Sequence, residues 1–393
     1  MSEALALEDA QARLLALAPL LPLEAVATEA ALGRIIAEDI RAARTQPAAD
    51  LSAMDGYALS PGTGPWTLAG ESRAGAPFAG RLAPGQCVRI STGAIVPGGA
   101  DRVLLQEDAE RTDDSIAAAE CPPPGRHIRA VGFDFKAGDL LLTRGTRITP
   151  GRMALALAAG HGSLTVTRRV RVAVMDSGDE LAADPAHCLP HQIPASNAAM
   201  IAAMLAPLGC EVMRIGPVPD DAAALASALA EAESADILVT SGGASVGDHD
   251  LIKPALTAWG AQIAFWKIAI KPGKPLLVAT RGAQVVLGLP GNPVSSFVTA
   301  FLFAVPLVRK ALGDPAPLPQ AVSMTAGEDL PPVGPRREFL RAVTDGETVR
   351  LAGSQDSSAL SALAEADCLI DRPAHAPPLA CGEPVRVFKL QNG

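Results

Sequence analysis

Between Ala235 and Thr299 three loops rich in glycine, proline or lysine each follow a short apolar run, and that spacing most limits the folds open to the chain. Asp236-Ile237-Leu238-Val239-Thr240 has the length and β-branched character of a buried strand, and it gives way at once to Ser241-Gly242-Gly243-Ala244-Ser245-Val246-Gly247. Glycine permits positive φ and close approach of a ligand. A strand-to-helix loop of this composition can therefore turn backbone N–H groups, and the following helix N-terminus, toward a phosphate. Asp248 and Asp250 come next. Two carboxylates beside a phosphate cradle suit Mg²⁺, a hard cation that takes few protein oxygens and completes its shell with phosphate oxygen and water. The competing reading is that Asp250 only caps a helix beginning at Leu251.

Lysine usage bears on that choice. The lysines are Lys136, Lys253, Lys267, Lys271, Lys274, Lys310 and Lys389, and the middle group clusters in this one stretch of an otherwise Arg-rich chain. A local preference for the compact ammonium suggests tetrahedral oxyanions held by point charges rather than by the guanidinium fork. A solvated helix face is the bland alternative, against which Pro272-Gly273 and the apolar Ile268-Ala269-Ile270 argue. The third loop, Gly288-Leu289-Pro290-Gly291-Asn292-Pro293, follows Val285-Val286-Leu287 and places Pro293 at the first position of a helix-like run from Val294 to Leu312. It forms either a rigid wall of the site or a tight turn alone.

Upstream, Arg171 to Met175 starts an alternation of strand and helix. The loop Asp176-Ser177-Gly178-Asp179-Glu180 follows, then a helix from Ser196 to Leu208 ending at Gly209, a strand from Glu211 to Ile215, and an alanine-rich helix capped by Asp220 or Asp221. This spacing predicts a doubly wound, mostly parallel sheet whose ligands lie at the carboxyl ends of the strands, where the loops after Met175, Thr240 and Leu287 meet. The remainder differs in texture. Leu5 to Leu17 and Thr28 to Ile40 have helical period, forming an N-terminal helical segment. Arg44 to about Pro150 reads as short strands broken by Pro and Gly, and after the linker Asp314 to Pro319 a small β-barrel-like domain contains Phe339–Val343, Thr348–Leu351 and Pro384–Phe388. Within the β-rich part, Ser52–Ala58 with Asp55-Gly56, Arg89–Pro97 with Thr92-Gly93, and Arg129–Asp134 are each either a turn, the commoner reading of such local sequence, or part of a site. Gly353 to Ser358 is either a loop over the site or a turn.

Composition narrows function further. A formal net charge of -9 and 3% aromatic residues leave little for nucleic acid, so phosphate chemistry must be local. Six scattered cysteines without a C-x-x-C pair argue against a disulfide framework or zinc ribbon and for cytosolic thiols, hence a cytoplasmic protein. His187, Cys188 and His191 have metal-like spacing but lack a second pair, and read as an ordinary loop. Residues 1 to 20 form an amphipathic helix and not a signal peptide, and Val294 to Val308 is interrupted by Ser295, Ser296 and Thr299, so neither targeting nor a membrane span is expected.

The motifs S-A-M-D-G-Y-A, S-T-G-A-I-V-P, S-G-D-E-L, S-G-G-A-S-V-G-D-H-D, F-W-K-I-A-I-K-P-G-K-P and G-L-P-G-N-P-V-S, in this order, resemble those of the molybdopterin molybdenumtransferases, which include the E domain of gephyrin. The resemblance implies an α/β multidomain protein with a molybdopterin-binding fold at residues 170–313, an N-terminal helical and linking domain at 1–44 plus 139–169, an inserted β-rich domain at 45–138 and a C-terminal β-domain at 318–393. It implies an enzyme that inserts molybdenum from molybdate into adenylylated molybdopterin and releases AMP with Mg²⁺. It also implies a homodimer with a shared active site, and contacts with a molybdopterin adenylyltransferase and with apo-molybdoenzymes. By motif, Asp55, Asp134, Glu180, Asp250, Lys267 and Lys271 would be catalytic, with Asp250 and Glu180 toward the metal. Thr92, Asp220, Ser241, Gly242, Gly243, Ser245, Gly247, Pro290, Pro293, Arg341 and Ser357 would bind the pterin nucleotide. Two departures stand out: Met175-Asp176-Ser177 replaces a Ser/Thr-rich strand end, and Ala195 replaces the Asp that precedes Ser-Asn.

Other classes remain open at this point. A non-catalytic molybdopterin-binding or scaffold module would gain from losing the acids at Asp55, Asp134, Glu180 and Asp250, which are present. An adenylyltransferase or pyrophosphatase would need only the α/β part, leaving Met1 to Pro150 and Pro315 to Gly393 without a task.

Overall fold

The computed structural model describes residues 4–242 and 251–390. Two compact units are formed: one from Ala25–Leu32 with Glu38–Leu164, the other from Met1–Glu24, Gly33–Ala37 and Thr165–Gly393.

In the larger unit, α1 (Leu7–Ala16) buries Leu7, Ala10 and Leu14, one face of an α-helical period. The smaller unit carries a six-stranded sheet built from β1 (Gly56–Leu59), β2 (Trp66–Ser72), β3 (Gln86–Ile90), β4 (Arg102–Leu105), β5 (Ala109–Thr112) and β6 (Ser115–Ala118), in the order β4-β1-β3-β2-β6-β5. Trp66, Leu59, Leu104 and Ile116 fill one of its cores, and α2 (Pro150–Ala158) closes the segment with Thr149 as N-cap. The β-rich reading of this stretch holds.

The helix expected over Thr28 to Ile40 does not form. A strand, Leu23–Ala27, runs into a single 3₁₀ turn at Thr28–Ala31, and Gly33 takes a left-handed φ of 77°. The backbone there is satisfied by another segment: Thr28 donates its N–H to the Gly162 carbonyl and its hydroxyl to that of His161.

Returning to the larger unit, the α/β part follows the predicted alternation. Its elements are β7 (Arg171–Ser177), α3 (Asn197–Leu205), β8 (Glu211–Val218), α4 (Ala222–Glu231), β9 (Ile237–Ser241), α5 (Ile252–Ala258), β10 (Gln262–Trp266), β11 (Ile270–Lys271), β12 (Leu277–Arg281), β13 (Gln284–Leu289), α6 (Pro293–Thr299) and α7 (Val305–Ala311). The sheet order is β8-β7-β9-β13-β12-β10, with β8, β7, β9 and β13 parallel and β12 and β10 antiparallel at one edge. Both faces are covered, which is why these strands read as continuous apolar runs. Val172, Val174, Ile237 and Val239 pack toward α3, α6 and α7, while Ala173, Met175 and Leu238 pack toward α4 and α5. Of the two candidate caps for α4, Asp221 is the one that accepts the N–H groups of Ala223 and Ala224.

The helix-like run after Pro293 is one rod with a π-turn at Ala300–Ala304 between α6 and α7. Pro306 has no N–H to give to Leu302, four residues earlier, and the side-chain amide of Gln11 on α1 donates to that carbonyl at 2.9 Å. Pro293–Ala311 is long and apolar enough to cross a membrane by length and composition, yet 78% of its most apolar window is buried in the core.

The last segment comprises β14 (Val322–Ala326), β15 (Arg337–Thr344), β16 (Thr348–Leu351), α8 (Leu360–Glu365), β17 (Cys368–Arg372) and β18 (Pro384–Lys389). The order β15-β16-β14-β18-β17 closes through pairing of β17 with β15, so the barrel leaves no free edge among these five, and β11 adds in parallel to β15. All six cysteines are free thiols.

Candidate active site

Three strands of the parallel sheet end together. β7 extends two residues past Met175, so Asp176 and Ser177 belong to the strand, and Asp176 is in register with Ser241 on β9. β13 likewise includes Gly288 and Leu289, and Leu289 is in register with Ser241. Beyond these ends the backbones crowd. Gly242 has φ 100°, and a Cβ there would fall 2.5 Å from the Ser177 carbonyl oxygen, so only glycine lets the two loops approach. Its N–H donates to the Leu289 carbonyl, and Gly291 lies against its Cα.

Asn197, the first residue of α3, ties the cluster together. Its amide donates to Ser241 Oγ at 2.9 Å and to the Gly291 carbonyl at 2.7 Å. Asn292 caps α6 by position without a side-chain cap bond; its amide donates instead to Ser357 Oγ at 3.1 Å, and Val294 N–H donates to the Ser357 carbonyl. Pro293 occupies the first helical position, as its fixed φ favours. Ser241, Gly242, Pro290, Pro293 and Ser357 thus converge. Arg341 does not line this surface. It is 1% exposed beneath the loop, donating to the carbonyls of Ser354 and Asp356, and burial holds its basicity below the usual value. It shapes the Ser357 loop from below. The linker-like segment after Gly313 is also pinned, by Arg309 to Asp314 and Ala316.

Glu180 is exposed, and its carboxylate folds back over Gly178, where an added Cβ would lie 2.4 Å from Oε2. Beside it Asp179 accepts the Asp220 N–H at 3.0 Å, which draws Asp220 to the same edge. Lys267 has a left-handed φ of 78°, and its ammonium stands 4.3 Å from the Trp266 ring centroid, with Lys253 at 5.0 Å. Its backbone is held by Leu276 and by Leu5 ahead of α1. Lys271 pairs with Glu338 of β15 at 3.0 Å, and Gly273 packs on Thr299 of α6, so the lysine strand and the proline loop share one helix. Gly243, Ser245, Gly247 and Asp250 lie outside the described residues.

In the smaller unit Asp55 accepts from both the N–H and the hydroxyl of Thr92, at 2.6 and 2.9 Å, and these bonds hold its carboxyl below the usual range. Its neighbour Gly56 is required because a Cβ would fall 1.9 Å from the Leu104 carbonyl oxygen. Asp134 is exposed on a separate turn anchored to Gln46, and the strand leading to it, Ile128–Arg129, pairs with Leu51–Ser52.

Two groups to which sequence reasoning gave no site role stand at this edge of the sheet: Asn197, through its bonds to Ser241 and Gly291, and Asp176, in register with Ser241. Asp176 is 3% exposed; burial raises its pKa, while the Ala198 N–H and Arg214 oppose that rise. A carboxylate inside an apolar strand was the available signal. Among the described residues no group of three or more His, Cys, Asp or Glu could by itself hold a metal. Glu180 is an exposed oxygen donor of the kind Mg²⁺ takes singly alongside substrate oxygens.

Residues 5–160 match a family model described as the MoeA N-terminal region (domain I and II), residues 173–310 a "Probable molybdopterin binding domain", and residues 323–390 the MoeA C-terminal region (domain IV). The molybdopterin molybdenumtransferase of Haemophilus influenzae is 37% identical over 369 residues, covering 91% of this chain and 91% of that protein. The one from Nostoc is 35% identical over 92% of this chain and 87% of its own length. The crystal structure of the molybdopterin biosynthesis MoeA protein from Pyrococcus horikoshii superposes with a TM-score of 0.85, at 30% identity, covering 98% of this chain and 99% of that one.

Proposed function

The chain belongs to the MoeA family of molybdopterin molybdenumtransferases, and from that premise we propose that it inserts molybdenum from molybdate into adenylylated molybdopterin and releases AMP. The observation that carries this reading is the convergence of the Ser177, Gly242 and Gly291 backbones at the carboxyl edge of the sheet, which keeps side chains away from a place suited to a phosphate. Ser241, Gly242, Pro290, Pro293 and Ser357 bind the pterin nucleotide in this reading, with Asp220 alongside. Gly243, Ser245 and Gly247 extend the cradle by sequence.

Lys267 and Lys271 hold molybdate or phosphate oxygens. Trp266 steadies the first ammonium, and Glu338 keeps the second ordered until an oxyanion competes for it. Glu180, with Asp250 by sequence, would hold the divalent cation, which neutralises phosphate charge when bound. Asp55, Thr92 and Asp134 complete the site of a second copy of the chain in a homodimer, and Arg341 positions the Ser357 loop.

The test is turnover. The protein is incubated with adenylylated molybdopterin, Mg²⁺ and molybdate, and AMP and molybdenum-loaded cofactor are measured. Equal release of both supports the reading; substrate binding without AMP release would move the chain to the binding-module class.

A further inference from the structure

We propose that Arg372 is a positioning residue for Lys271: its charge, set behind Glu338, fixes how readily the lysine ammonium leaves that carboxylate for a tetrahedral oxyanion. The inference rests on the function proposed above, in which Lys271 holds such an oxyanion, and adds a residue that acts on it through Glu338.

Three strands put one charge each into a single row. Lys271 of β11 stands opposite Glu338 of β15 in a parallel pair, and Glu338 stands opposite Arg372 of β17 in an antiparallel pair. Side chains directly opposite on one face of an antiparallel pair start about 5 Å apart. Glu338 alternates with Leu340 and Ala342, and Arg372 with Ile370 and Cys368, and these four pack in the core of the barrel, so both charged side chains leave their strands on that face. Exposure falls along the row. The Lys271 side chain is 54% exposed and that of Glu338 14%, whereas Arg372 is 2% exposed.

Lys271 and Glu338 are joined by an ion pair at 3.0 Å. Arg372 gives one terminal nitrogen to the Pro377 carbonyl, and the other, Nη1, is buried without a partner. Burial lowers its basicity, and the Glu338 charge works against that lowering. A guanidinium buried with one end unpaired is a costly strut, but as a fixed positive charge beside a carboxylate it has a use. Glu338 is mostly buried, so a lysine that left it would strand an anion in a poorly solvated place. Arg372 stays and answers that charge. Lys271 can then turn toward an incoming oxyanion without leaving Glu338 uncompensated.

The experiment reads Lys271 directly and through turnover. Its amine is pulse-labelled in the full-length protein with a water-soluble acetylating ester, and the modified site is quantified by mass spectrometry. In parallel, kcat and the KM for molybdate are measured from AMP release with adenylylated molybdopterin and Mg²⁺. In Arg372→Gln and Arg372→Met the lysine is held more tightly by Glu338, so labelling slows and the KM for molybdate rises, each roughly three- to tenfold, while kcat changes little. Gln can still donate to the Pro377 carbonyl and Met leaves no nitrogen to satisfy, so the two neutral variants do not share one route to misfolding. Arg372→Lys restores both readouts. Glu338→Gln speeds labelling, and in that background Arg372→Gln has little further effect; an arginine with a merely structural role would harm the double variant as much as the single one. Wild-type labelling in the folded neutral variants, unchanged labelling in Glu338→Gln, or an Arg372 effect on the KM that persists without the carboxylate overturns the proposal. Labelling that follows these charges in a protein that releases no AMP removes the proposed reaction alone, and full turnover with labelling indifferent to Arg372 removes the positioning role alone.

Discussion

At the scale of single residues, bonds made by a side chain separate structural from chemical duty. Asp55 accepts both Thr92 bonds through Oδ1, and an Asn carbonyl would accept the same two. Asp55→Asn is therefore expected to keep the thermal midpoint and lose turnover by orders of magnitude if the charge serves the reaction; near-normal AMP release would return Asp55 to a turn residue. Arg341 gives the opposite pattern. Arg341→Met leaves the Ser354 and Asp356 carbonyls without their donor and should cost roughly 1.5 to 3 kcal/mol. Its Nε is already buried without a partner, so removing the charge recovers part of that loss and the lower end of the range is expected. Urea unfolding with an unchanged slope measures it.

Among the secondary-structure elements, two anchors predict measurable effects. Beside the π-turn between α6 and α7, Gln11 donates to the Leu302 carbonyl, which Pro306 has no N–H to serve. Gln11→Leu is expected to destabilise the larger unit by roughly 1 to 3 kcal/mol, the cost of an unpaired buried carbonyl, and a variant as stable as wild type would show that water replaces the amide. At the head of β9, Asp236 is paired with Arg168 at 2.9 Å and accepts the Arg171 N–H. Burial opposes ionisation there, but those bonds outweigh it and its pKa lies below the ordinary value. A depressed carboxyl pKa stabilises the fold above the unfolded-state value near 3.9, and that stability is lost as pH falls through the folded value. Thermal midpoints measured from pH 6 downward should fall less steeply below about pH 4 in Asp236→Asn than in wild type.

For the whole molecule, the prediction concerns two copies. If Asp55 of one chain serves the site built by Lys271 of another, chains carrying Asp55→Asn and chains carrying Lys271→Ala, each inactive alone, form a mixed dimer with one intact site. Co-expressed and purified as a tagged heterodimer, that species should recover up to about half of wild-type AMP release, one site of two. Complete inactivity of a verified heterodimer would put both residues on one chain's site.

Most of the α/β fold could be read from the chain because its strands are buried on both faces and its helices on one, so apolar runs and apolar periods marked them directly. The glycine and proline loops were legible for a related reason: Gly242 and Pro293 stand where backbone geometry admits few other residues. Tertiary structure decided the rest. Thr28 to Ile40 has a helical period, yet its backbone N–H groups at Thr28 and Ala37 bond the Gly162 and Thr165 carbonyls of another segment instead of closing a helix. Arg341 and Ser357 both lie in the C-terminal segment, but only packing puts one beneath the loop and the other on it. Asp176 looks like a loop acid by sequence. It becomes a buried carboxylate with one free oxygen because β7 runs two residues further than its apolar pattern, and what a side chain faces depends on where the strand stops.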